Sequence, residues 1–357
     1  MNTILDRQQR AKVFPIQLNG ETAKGLFKKY EDIGFLYPEK KKLLMPHYAK
    51  INANWNKLLK SKEELLWTIT AENQLLKKGF ASITAWKQGN YSLFSQHLVS
   101  TGNPMLSLKV MMAAQDRAEF YFSKNQIQSC QNWFRPTNRY AYRIFASMYN
   151  KLGEEKASLL MFKYLHLPLG NIEKVSQKGL AVEEILGVDA ALIDFVKEEY
   201  GMVFVRGEEL DQADLQFYAL GAIFRQYSMT RLRRILKITD AKTGKIIACV
   251  IANRAPLGVN FSFLENRSYY IVSKDLTEQQ RAKVVATISQ NIQIFYKNFE
   301  LQAIPIVTDD ATSKTLLTQR AVFQRKYMQT IWLREGFSDW YNHIYSFLQK
   351  IEGRLGN

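Results

Sequence analysis

The spacing of apolar and polar positions changes repeatedly along this chain, and each change marks an element. Between Thr22 and Glu72 apolar residues recur at helical intervals, with Leu26, Tyr30, Leu43, Leu44, Trp55, Leu58, Leu59, Leu65 and Leu66 set between lysine-rich stretches. Pro38 and Pro46 punctuate that pattern. Residues 79–86 then read as a strand, Gln88-Gly89-Asn90 as a turn and 91–99 as the antiparallel partner. Asn103 is placed to cap a helix and Pro104 to open it, while Leu108, Met111, Met112 and Phe122 keep helical spacing. Residues 127–134 predict a strand, 138–151 a helix closed by Gly153, and 158–167 a further strand. A Gly-bounded amphipathic helix over 182–200, stopped by Gly201, is expected to connect two halves.

The second half repeats that order. Residues 231–239 and 245–252 alternate as a hairpin around Asp240-Ala241-Lys242-Thr243-Gly244, with the glycine at the left-handed position. Strands are expected over 259–264 and 269–272. Thr277-Glu278-Gln279-Gln280 reads as a capping box for a helix whose Val284, Val285, Ile288, Ile292 and Phe295 form one face. Residues 303–307 predict a strand and 337–351 a closing helix. The pattern therefore predicts an α/β (α+β) chain with a first unit over 1–170, a connector over 171–206 and a second unit over 207–357.

Composition leaves that picture intact and narrows the chemistry. A length of 357 residues with 46% hydrophobic and 23% charged positions suits two globular cores. No stretch approaches the roughly 20 apolar residues needed to span a bilayer, and the first ten residues lack the apolar core of a secretory signal, so a cytoplasmic chain is expected. Cys130 and Cys249 fall in apolar runs and read as small buried residues. The four histidines, His47, His97, His166 and His343, show no metal-ligand spacing, so no metal is expected. A net charge of +16 favours anionic partners: phosphates, anionic proteins or acidic lipid headgroups. Aromatic residues interleaved with arginine, as in Trp133-Phe134-Arg135 and Tyr140-Ala141-Tyr142-Arg143, are compatible with base stacking and equally with packed cores; no sustained basic stripe accompanies them.

The order helix, antiparallel hairpin, strand, helix, strand, helix, strand resembles the GNAT superfamily of N-acetyltransferases, twice in tandem, each unit a mixed, mostly antiparallel sheet flanked by helices. Asn138, Ala141 and Ile144 match the family's Asn-x-x-Ala-x-x-aliphatic pattern, but Phe145 stands where the family has a tyrosine. Tyr149, one helical turn later, begins a Tyr-x-x-Leu-Gly ending and is the alternative proton donor. The resemblance implies an acyltransferase that moves an acyl group from coenzyme A, or from an acyl carrier protein, to an amine. It places the donor's diphosphate at Ser100, Thr101, Gly102 and Asn103, a segment that departs from the family's glycine-rich loop in having a single glycine. Arg135, Arg139 and Arg143 would clamp phosphates or an acidic carrier, or pair with neighbouring carboxylates. The Ser273–Thr277 segment has no glycine and carries Asp275, so the second unit looks degenerate. His97, on the strand entering the first loop, is a candidate base; Glu265 is its rival in the second half, with a salt bridge to Arg267 as the ordinary explanation. The alternative function is a catalytically inactive protein of the same fold that binds nucleic acid, a nucleotide or a protein partner.

Overall fold

The computed structural model describes residues 16–72, 79–102, 104–124 and 126–355. Their contacts divide the chain into two units: one holds the residues up to Cys130 and those from Arg334 onward, the other runs from Gln131 to Leu333. Both are α+β. This division differs from the boundaries at 170 and 207 read from element order, because residues 131–170 pack with the sheet of the second unit and the closing helix packs with the first.

In the first unit β1 (Ile16–Leu18), β2 (Leu66–Glu72), β3 (Phe80–Lys87) and β4 (Ser92–Thr101) form an antiparallel sheet in chain order. β2 replaces the end of the expected helical stretch. Its residues from Leu66 to Ala71 are all buried, so the alternation that would mark a strand is missing from the sequence. Helix Ala23–Asp32, capped by the Thr22 side chain, and helix Tyr48–Leu59 turn Leu26, Phe27, Tyr30, Ile51, Trp55 and Leu58 into the core. Helix Pro104–Ser123 lies against β3 and against the closing helix, Phe337–Leu355.

β5 (Ser129–Phe134) leads along the chain from the first unit into the second, where β12 (Val322–Leu333), β6 (Ala157–Pro168), β11 (Ala303–Thr308), β10 (Ser268–Val272), β9 (Ile246–Arg254), β8 (Leu232–Asp240) and β7 (Leu180–Glu184) follow one another across the sheet. Among these, β10 and β11 are parallel and the other neighbours antiparallel. Parallel neighbours need a crossover, and helix Glu278–Ile292 supplies it, opened by the Thr277–Gln280 capping box. Gly244 takes the left-handed conformation in the 240–244 hairpin, at φ 70°.

Two further expectations are corrected. The 182–200 helix is β7 followed by a shorter helix, Ala190–Tyr200, because residues 180–184 pair with β8. Residues 259–264 form no strand; they run through turns into a 3-10 turn at Leu264–Asn266. Helix Asp310–Thr318 and β12 occupy a stretch to which the pattern assigns nothing, and a register shift between Phe323 and Arg325 breaks the alternation of β12.

One close approach locks helix Tyr218–Gln226 to the chain leading into β8. A Cβ on Gly221 would lie 2.6 Å from the Arg231 carbonyl oxygen, a backbone atom that cannot swing aside. Gly221→Ala is expected to destabilise the protein by about 1–3 kcal/mol; an unchanged urea midpoint would contradict that contact.

Candidate functional site

The first unit presents a strand, a glycine turn and a helix in succession. β4 ends at Thr101, Gly102 turns with φ 80°, and the helix starts at Pro104. Only glycine adopts that backbone without a Cβ penalty. Ser100, Thr101 and Gly102 are all exposed. Asn103, the expected cap, lies outside the described residues.

His97 lies just before this turn. The β3–β4 register passes from Ser82↔Val99 to Thr84↔Gln96, so two residues of β4 oppose one of β3, and His97 within that bulge has φ 51°. The extra residue re-aims the side chain. Its imidazole stacks on Trp55 with centroids 5.6 Å apart and meets Tyr30 and Phe35 edge-on. Burial, with the Lys40 charge adding to it, holds His97 well below the ordinary 6.5, so the ring is neutral near pH 7. With 7% exposure it fills an aromatic enclosure, which is poor access for an acyl acceptor.

The loop that follows β10 in the second unit is exposed at Lys274, Asp275 and Thr277, and a buried arginine anchors its start. Arg281, 7% exposed, donates to the Ser273 carbonyl at 3.1 Å and to Thr312 Oγ1 at 3.3 Å. Thr277 accepts from the Gln280 amide, Lys274 pairs with Glu199, and Lys245 pairs with Asp275. The Gln280 amide, one of the helix-terminal donors that would meet a phosphate, is therefore already engaged.

Helix Arg139–Leu152, in the second unit, accounts for the Asn-Ala-Ile pattern by capping and packing. Asn138 Oδ1 accepts from the Ala141 amide at 3.2 Å, Ala141 and Ile144 are buried, and Phe145 stacks on Phe134 with centroids 5.4 Å apart. Arg139 and Arg143 are exposed and make no ion pair among the described residues. Arg135 and Tyr149 are half-buried.

Glu265 sits on the 3-10 turn at Leu264–Asn266 and has no exposed surface. Its Oε1 accepts from the Gly258 amide at 2.7 Å, and burial pushes its carboxyl up to about 8. The carboxylate that pairs with Arg267 is Glu208, at 2.9 Å. That pair heads a buried cluster which the sequence does not disclose. Tyr269 and Gln131 also donate to Glu208, and Gln329 donates to the Gln131 oxygen and to the Tyr269 hydroxyl. Burial alone would raise Glu208, but the Arg267 charge and the donated hydrogen bonds outweigh it and hold the carboxyl below its ordinary value. Arg233 reaches the Glu208 and Glu209 carbonyls, fixing the backbone of the same segment. Arg267 and Tyr269 are two residues apart, but Gln131, Glu208 and Gln329 come from elements far from them and from each other in the chain, so no local spacing connects the cluster.

His166 Nε2 lies 2.7 Å from the Tyr164 hydroxyl, and burial together with the Arg325 charge pushes the imidazole down to about 4. Cys130 and Cys249 are buried free thiols. Among the described residues no group of three or more His, Cys, Asp or Glu side chains is placed to hold a metal. No helix among them is long and apolar enough to cross a membrane.

No family model matches this chain, and no curated protein matches it. Solved structures show a remote structural resemblance to GNAT-superfamily proteins. A tandem GNAT protein from the clavulanic acid biosynthesis pathway is 9% identical, with a TM-score of 0.38, over 90% of this chain and 99% of that one. A Drosophila protein is 10% identical, with a TM-score of 0.42, over 90% and 99%. Saccharomyces cerevisiae N-myristoyltransferase with bound myristoyl-CoA is 11% identical, with a TM-score of 0.34, over 79% and 69%. Likeness at these identities and TM-scores carries no argument about what this chain does.

Proposed function

We propose that this protein is an acyltransferase whose first unit takes the diphosphate of a coenzyme A thioester, or the phosphopantetheine of an acyl carrier protein, and passes the acyl group to an amine. The observation that carries the reading is the contrast between the two loops. In the first unit Ser100, Thr101 and Gly102 are exposed at a left-handed glycine ahead of a helix of 20 residues. In the second unit the loop is exposed too, but it has no glycine, the Asp275 carboxylate would repel a phosphate, and the capping box takes up the Thr277 and Gln280 amides. Backbone amides and hydroxyls at the open turn suit a diphosphate, since the helix dipole adds positive potential there. The β4 bulge at His97 interrupts the strand ladder a few residues earlier, where a thioester extending along the strand would find backbone groups outside the regular pairing. His97 contributes by holding that bulge through its stack on Trp55, and the reading assigns it no proton transfer.

A binding protein without catalysis is the second reading, and one observation favours it. Arg139 and Arg143, with Tyr142 46% exposed beside them, offer cations without ion pairs next to an aromatic ring, as single-stranded nucleic acid requires.

Thermal shift separates the two. Coenzyme A or acetyl-coenzyme A at about 100 times its Kd is expected to stabilise the fold by about 2.7 kcal/mol. Thr101→Glu, at an exposed position, should abolish that shift, while Arg139→Glu with Arg143→Glu should leave it unchanged. A shift with single-stranded oligonucleotide that only the arginine variant removes, and none with coenzyme A, would overturn the acyltransferase reading.

A further inference from the structure

A cleft of about 510 Å³ opens in the second unit, within the roughly 300–1,000 Å³ that small-molecule sites occupy. One face of helix Glu278–Ile292 forms its floor, where Ala282, Ala286 and Ser289 recur at helical spacing. Short side chains on that face leave the space that leucine or phenylalanine would fill. Leu167, at the end of β6, and Ile172 and Val175 beyond it supply apolar walls. The Ser289 hydroxyl is already engaged by the Val285 carbonyl and the Tyr270 hydroxyl, so it offers the cleft no unused donor.

The walls are fastened in place. Val175 N donates to Gln290 Oε1 at 3.0 Å, Gln319 Nε2 to the Ala282 carbonyl at 3.1 Å, and Asn171 Nδ2 to the Arg320 carbonyl at 3.2 Å. Arg320 itself has φ 64°, a backbone conformation that non-glycine residues seldom adopt, and it borders the cleft. At the rim stand Lys283, Arg320 and Glu173. Lys283 spends one proton on the Lys178 carbonyl. Arg320 and Glu173 make no ion pair or side-chain hydrogen bond among the described residues.

We propose that this cleft binds an apolar chain bearing one anionic head group, of the fatty-carboxylate class. The chain lies along Ala282 and Ala286, and the head is held between Lys283 and Arg320. Two cations against one carboxylate at the rim, in a molecule of net charge +16, select an anion over a cation. The cleft belongs to the second unit and does not depend on the acyl-donor reading of the first.

Calorimetric titration of the full chain with dodecanoate, below its aggregation concentration, tests this, with dodecyltrimethylammonium as the cationic control. One saturable site with a negative heat-capacity change is expected for dodecanoate. Ala286→Phe should fill the floor and abolish binding. Arg320→Asn should weaken it about tenfold, a loss of one charge-assisted contact, while leaving the fold intact because asparagine tolerates the left-handed backbone. Glu173→Gln should strengthen it, since the repelling charge is gone. The proposal is overturned if dodecanoate shows no saturable binding or if dodecyltrimethylammonium binds as well. Binding that neither Arg320→Asn nor Glu173→Gln alters would overturn it too, whether or not Ala286→Phe folds.

Discussion

Arg267→Met is expected to cost about 3–5 kcal/mol of stability, because it strands a buried carboxylate. The side chains of Arg267 and Glu208 are 3% and 4% exposed, so water cannot replace the lost partner. Arg267 also donates to the Tyr269 hydroxyl at 2.8 Å, to the Leu264 carbonyl at 3.0 Å and to Gln131 Oε1 at 3.2 Å. Arg267→Lys should therefore lose most of the same energy, since a single ammonium cannot reach several directions of a planar fork. Adding Glu208→Gln to Arg267→Met should recover part of the loss by removing the unpaired charge. Urea unfolding of the singles and the double reads this directly. A single-variant loss below about 1 kcal/mol, the range of an exposed pair, would show that the cluster is not holding the unit together.

Raising the pH towards 8 should destabilise the protein, and Glu265→Gln should remove most of that slope. Glu265 is fully buried and pushed up from 4.5 to about 8 by burial. A carboxyl whose folded value lies above its unfolded value contributes stability that is complete below about 4.5 and is lost as pH climbs through about 8. The displacement corresponds to roughly 4–5 kcal/mol. Carboxylates held low act in the opposite direction: Glu208 and Asp189 contribute stability above their unfolded values, and it is lost as pH falls through their folded ones. His97 and His166, held below 6.5 by burial, likewise lose their contribution as pH falls below that value, so maximum stability is expected near pH 6.5. Melting temperatures across pH 5–9 for the native chain and the glutamine variant decide it; parallel profiles would mean that Glu265 does not titrate in this range.

The legibility of the fold varied with how local each determinant was. The Thr277–Gln280 capping box, Gly244 in its hairpin and Gly153 after helix Arg139–Leu152 were all readable, because each acts over a few residues. β2 and β12 were not. Strands buried on both faces lose the period-two signal, and a register shift breaks what remains. Gly102 was legible as a turn between strand and helix. His97 was recognisable as a strand residue, yet its bulge and its stack on Trp55 depend on how β3 and the helix at Tyr48–Leu59 meet it.

By itself the sequence determined an α+β chain with an excess of cations, the Thr277–Gln280 capping box, the hairpin turn at Gly244 and the turn at Gly102 between strand and helix, since these follow from neighbouring residues and from composition. Only the tertiary structure decided that Glu208, Arg267, Tyr269, Gln131 and Gln329 share one buried cluster, that Arg281 ties Ser273 to Thr312, and that Ala282 and Ala286 face a cleft. Electrostatic pairing and cavity shape depend on distances through space, and those are set by strand order and packing, which no spacing along the chain encodes.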